Sequence, residues 1–193
     1  MPMTEKEALQ TYLQRSRDAL LWKLEGLSEY DIRRPLTPTG TNLLGLVKHA
    51  IGVEIGYFAF TFDRPYPEHV PWTEEDAENN SDMWATADES REFMVDLYKR
   101  VWAHADATIN DLPLDAPGFV PWWGPERGQV VLHQIIVHTT ADLQRHAGHA
   151  DILRELIDGT VGMRVDAPNM PPGDESYWTS YRAKLQDVAE SFK

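Results

Sequence analysis

The segment VVLHQIIVHTTADLQRHAGHADILRELID, Val130 to Asp158, most constrains the fold. It has no proline, and its apolar residues recur with the period of an amphipathic helix. Strict apolar alternation, the mark of a half-buried strand, is largely absent from the chain, so the reading is all-α. With Ile135 set at zero and about 100° per residue, His138 falls at roughly −60°, Asp142 at −20°, His146 at +20°, His149 at −40° and Leu153 near zero. Four polar groups thus share the stripe expected to face a core. His133, Gln144, Asp151 and Glu155 take the opposite side, where solvent is expected.

Further helices flank this one. Thr4 and Glu7 form a capping-box pattern, opening a helix to about Leu27. RPLTPTG (34–40) is turn-rich, and Thr41 or Asn42 can then cap a helix to about Phe58. Its apolar face holds Leu43, Leu46, Ala50, Val53 and Tyr57, with His49 at the edge. Asp63 to Asp82, with three prolines and a run of acids, reads as a long loop. Thr86 and Glu89 form a second capping-box pattern, opening a helix to about Asn110. DLPLDAPGFVPWWGPERG reads as a proline- and aromatic-rich loop. Another loop, Ala167 to Asp174, precedes a terminal helix from Tyr177 to Phe192. Four principal helices plus a C-terminal one make a helical bundle, and the long connections imply crossovers. One domain over residues 1–193 is expected.

Bulk properties narrow the function. There are no cysteines, which excludes disulfides, zinc ribbons and a cysteine nucleophile, and any thiol chemistry must borrow its thiol. A net charge of −13 repels a phosphate backbone, so nucleic acid is not an expected partner. Neither an export signal nor 18 consecutive apolar residues is found, and a cytoplasmic protein without membrane contact is expected.

Buried ionisable groups are costly unless paired or coordinated. Asp142 and His146 lie one turn apart and aim at one point, and His49 could join them from a facing helix. Three protein ligands leave positions open for water or substrate, the arrangement of catalytic sites. The competing reading, a hydrogen-bonded core histidine, is commoner for a single residue and weaker for four. No H-E-x-x-H is present, because Thr139 follows His138, and no histidine has Glu three positions before it. His69, His104 and His133 read as surface or loop residues.

RRPLTPTGTNLLGLVKHAIGVE (33–54), PWWG (121–124) and HTTADLQRHAGHADILRELIDG (138–159) resemble the DinB-like (DinB/YfiT) superfamily, in the branch that includes mycothiol-dependent enzymes. The resemblance covers nearly the whole chain, and the last block is the most specific. It implies a four-helix bundle with long crossover loops, and a divalent metal bound by His49, Asp142 and His146. Many relatives carry His or Glu where Asp142 stands. Zinc is the first expectation, with nickel, iron or manganese suited to the same donors. His138 and His149 are expected beside the ligands or the substrate. Trp122 and Trp123, with Phe119, could form an apolar wall or lid, although aromatics in a proline-rich loop more commonly pack that loop to the bundle.

Members of the superfamily include thiol S-transferases, so the resemblance implies a low-molecular-weight, mycothiol-like thiol activated for attack on a small electrophile. Relatives are often dimers, making a homodimer an expectation of the same kind. Two rivals remain: a non-catalytic metal-binding bundle, favoured if His138 or His149 completes the coordination, and a metal-dependent hydrolase. Glu54, the conceivable base for the latter, points roughly 140° from His49 on one helix. No residue is assigned a proton-transfer role.

Overall fold

A computed structural model describes residues 2–165 and 168–193; Ala167, the expected start of the last loop, lies outside them. Helix α1 spans Glu5–Trp22 and opens on the expected capping box: Thr4 Oγ1 accepts from the Glu7 amide, and the Glu7 carboxylate accepts from the Thr4 amide at 2.7 Å. It stops short of Leu27. Gly26, at φ +74°, takes the left-handed turn open to glycine, and Ser28 caps a separate short helix, α2 (Glu29–Arg33).

Asn42 caps α3 (Leu43–Glu54) by accepting from the Gly45 amide at 2.8 Å, and a π-helical turn, Ile55–Phe60, continues it. The stretch Leu43–Phe60 is long and apolar enough to span a membrane, yet 78% of it is buried within the molecule. Its apolarity is accounted for by packing on several sides at once.

The connection to α4 (Arg91–Asp111) contains two short turns, Pro71–Thr73 and Ser81–Met83. Ser90 caps α4 by accepting from the Phe93 amide, so the Thr86/Glu89 pattern does not open that helix. The Glu89 carboxylate does accept from the Thr86 amide, at 2.7 Å, but it also pairs with Lys48 Nζ at 2.8 Å, and this ties the end of the crossover to α3.

The proline- and aromatic-rich stretch is more ordered than a plain loop. Strands β1 (Pro117–Phe119) and β2 (Gln129–Val131) pair antiparallel around α5 (Gly124–Arg127). Three-residue strands are too short to show alternation in sequence. Because Val130 and Val131 join β2, α6 runs Leu132–Asp158 rather than from Val130. Helix α7 (Glu175–Glu190), capped by Asp174 and without a buried residue, stands close to its expected place.

Cross-helix contacts set the directions. Lys6 on α1 donates to the Ile109 carbonyl at the end of α4, so these helices are antiparallel. Glu5 lies near His133 and Arg154 donates to the Lys23 carbonyl, so α1 and α6 run parallel. Lys48 meets Glu89, while His49 faces Asp142 and Tyr57 faces His138, which makes α3 parallel to α4 and antiparallel to α6. The bundle is up-down-down-up, and the α3–α4 crossover must travel back along its length. It can seat closely because residue 45 is glycine: a Cβ there would lie 1.9 Å from the Met83 carbonyl oxygen.

Inside the bundle Arg17 and Glu54, both essentially inaccessible, form a two-point ion pair at 3.0 and 2.6 Å, and Arg17 also reaches Asp106 at 2.8 Å. Burial pushes the Glu54 carboxyl up, and the adjacent guanidinium only partly offsets this.

Candidate metal centre

The core face of α6 includes Leu132, Ile135, Ile136, Thr139, Leu143, Ala147, Ala150 and Leu153, centred roughly 60° round the helix from Ile135 at the period of 3.6. Consequently His138, Asp142 and His146 lie on the flank of the core, half-buried against α3, and His149 is exposed. The opposite side is solvent-accessible as expected, with Gln144 and Glu155 exposed, and it also reaches α1: Gln144 donates to Ser16 Oγ at 2.8 Å and Asp151 pairs with Lys23 at 3.0 Å. Among the remaining histidines, His69 and His133 are substantially exposed, while His104 is half-buried and bonds the Arg64 carbonyl at 2.8 Å.

The flank position brings three ligand atoms together. His49 Nε2 lies 3.9 Å and His146 Nε2 3.8 Å from Asp142 Oδ2, and one atom from each residue falls within 4.8 Å of the others. These separations are too long for hydrogen bonds. A tetrahedral ion with bonds of about 2.1 Å has ligand–ligand edges of about 3.4 Å, so only a small contraction would bring the three atoms onto one ion. Asp142 Oδ2 is buried and without a hydrogen-bond partner, as is His146 Nδ1. An orphaned carboxylate oxygen between two imidazoles is costly in a bare protein and natural around a cation. The donor set, two imidazoles and a carboxylate, therefore fits a divalent metal.

Asp82, on the Ser81–Met83 turn of the crossover, completes the arrangement from behind. Its Oδ2 lies 2.6 Å from His49 Nδ1. With a proton on Nδ1, the Nε2 lone pair faces Asp142 and His146, the tautomer a metal ligand needs. The bond to His49 holds the Asp82 carboxyl below the usual carboxylate range, against the effect of its partial burial. Burial, followed by the neighbouring His49, lowers the His146 pKa, which favours the neutral imidazole that can coordinate. Nothing in the local sequence marks Asp82; only folding brings it to a histidine 33 residues earlier.

His138 and His149 lie outside this cluster. His138 Nε2 pairs with the Tyr57 hydroxyl at 2.9 Å, and the His149 ring stands 5.4 Å from that of His146. Neither joins the group of three. A cavity of about 950 Å³ opens beside His49 and Asp142, walled by Val53, Tyr57, Phe60, Trp72 and Trp122. Gly56 leaves room for the wall, since a Cβ there would meet the Trp122 ring at 3.1 Å. Trp123 instead lines a separate cavity with His138 and Arg127, and Phe119 packs on Gly128 in the hairpin. Of the three loop aromatics, Trp122 alone lines the larger cavity.

A bundle with this centre defines a recognisable class. The mycothiol-S-transferase family model matches residues 8–159, and the chain belongs to that DinB-like family. A crystal structure of a conserved protein from Enterococcus faecalis is similar in fold, with a TM-score of 0.59 over 82% of this chain and 100% of that one, at 16% identity. No curated protein matches the chain.

Proposed function

We propose that the protein is a metal-dependent thiol S-transferase in which His49, Asp142 and His146 hold a divalent ion, zinc being the first expectation. The observation that carries this reading is the convergence of three ligand atoms within 4.8 Å at the wall of an apolar cavity, in a chain of the mycothiol-S-transferase family. A divalent ion there supplies Lewis acidity, lowering the pKa of a coordinated thiol so that its sulfur is nucleophilic near neutral pH. The co-substrates would be a low-molecular-weight, mycothiol-like thiol and a small electrophile. The chain's own part is positional. Asp82 orients His49, α3 and α6 fix the spacing of the ligand atoms, and the aromatic wall excludes water from the electrophile's side.

Two observations favour this over its rivals. The group of three gains no fourth ligand from His138 or His149, which supports an open site over a closed structural one. Glu54 is committed to Arg17 in the core, which removes the base once conceivable for a hydrolase. A cytoplasmic location and a homodimer belong to the same reading; sedimentation would test the latter.

The test is elemental analysis of untagged wild type, His49→Ala and Asp142→Ala, followed by thiol-conjugation assays. Near-stoichiometric metal in wild type only, with conjugation lost in both variants, is expected. Full conjugating activity in metal-free protein overturns the proposal.

A further inference from the structure

We infer that the large cavity selects by charge, admitting an uncharged or cationic co-substrate and rejecting anionic ones, with Glu75 as the residue that reads the charge. The inference builds on the transferase reading, since it names the class of molecule that would occupy that site.

The lining supports it from two directions. The apolar wall is largely aromatic, with Tyr57, Phe60, Trp72 and Trp122 presenting rings, and ring faces attract cations and stack on neutral molecules. The charged lining has one sign: Glu75, Asp82 and Asp142 are carboxylates, and no lysine or arginine lines the cavity among the described residues. Two of these carboxylates have tasks, Asp82 on His49 and Asp142 between the two imidazoles. Glu75 has none. It is exposed on the crossover and makes no hydrogen bond or ion pair among the described residues.

The cation behind Trp72 does not alter this. Lys48 Nζ lies 4.4 Å from the centre of the Trp72 ring, but it is buried and neutralised by Glu89 at 2.8 Å. With the charges of Asp82 and Asp142 offset by a divalent ion, Glu75 is the carboxylate left uncompensated, and a weakly coordinating anion such as a sulfonate would meet no cationic side chain. The net charge of −13 adds a repulsive field at longer range. An ammonium or a set of hydroxyls would meet Glu75 and the ring faces.

The test uses metal-loaded, full-length protein and three probes that share one benzyl group: benzyltrimethylammonium, benzyl alcohol and phenylmethanesulfonate, whose anion is a poor metal ligand. Binding is read by calorimetry and by the indole N–H resonances of Trp72 and Trp122, so no turnover is needed. The cation and the alcohol should bind, the cation at least as well as the alcohol, and the sulfonate more weakly by on the order of tenfold. Glu75→Gln should narrow the cation-to-anion ratio several-fold, and Glu75→Lys should bring it to parity or reverse it, with metal content unchanged. Because Glu75 is exposed and unpartnered, either variant should fold. Equal binding of the three probes, binding by none, or a ratio unmoved in both variants overturns the inference. Metal content and thiol conjugation in the same samples report separately on the transferase reading.

Discussion

His49 Nδ1 and Asp82 Oδ2 stand 2.6 Å apart, joining a core helix to the tip of the crossover by a charge-assisted hydrogen bond. Loss of such a partner usually weakens metal binding by about 10–100-fold. Asp82→Ala should fall in that range in competition with a chromophoric chelator. Asp82→Asn keeps an acceptor for the Nδ1 proton and should lose less. Unchanged affinity in Asp82→Ala would mean that His49 is oriented without it.

Gly45 controls the same contact from below. Placing a Cβ 1.9 Å from the Met83 carbonyl must move backbone, because both clashing groups are held in it. Gly45→Ala should cost about 1–3 kcal/mol. It should also weaken metal binding, because the displaced turn carries Asp82. Thermal unfolding and chelator competition on one preparation would show both effects, and a variant as stable as wild type would show that the crossover is not seated as described.

The Arg17–Glu54 pair makes opposite demands on single and double variants. Arg17→Met strips the buried Glu54 carboxyl of its counter-ion, so that it must either stay ionised in the core or take up a proton, and should destabilise by about 3–5 kcal/mol. Combining it with Glu54→Leu should recover most of that loss, because the double variant buries no orphan charge. Denaturant titration of the cycle would reveal a coupling. Additive losses would show that the pair is not energetically linked.

Acid stability should register Asp158. Bonds from Arg154, followed by the Thr160 amide, hold its carboxyl down to about 2. A group lowered from an ordinary value of about 3.9 stabilises the fold fully at neutral pH, and that contribution is lost as pH falls toward about 2. Its side chain is 33% exposed, so screening reduces the gain to about 1 kcal/mol. Asp158→Asn should lower the midpoint of unfolding at pH 7 and lose most of the difference from wild type by about pH 2. An equal difference at both pH values would refute this.

The helices and their order were legible because capping residues and apolar periods are local: Thr4, Asn42 and the period of α6 each mark an element. Asp142 and His146 were legible together for the same reason, being one turn apart. The ends were not. Glu89 accepts from the Thr86 amide as its pattern suggests but also pairs with Lys48, while Ser90 opens the helix, and Val130 and Val131 follow a strand partner. Asp82 had no local mark, because its role comes from a contact across the crossover. The polar stripe of α6 was placed too deep by taking Ile135 as the centre of a face whose edge it occupies, while the side expected to meet solvent does so at Gln144 and Glu155. His149 came out exposed as a result.

The three candidate ligands stand on α3 and α6, whose inner faces are sealed into the core by Ala50, Ile51, Leu143 and Ala147. Trp72, Glu75 and Asp82 arrive on the returning crossover instead. That connection wraps the centre like an interchangeable cuff around a fixed spindle. Exposed Glu75 sits on that cuff, apart from the helices that fix the spacing of the three candidate ligand atoms.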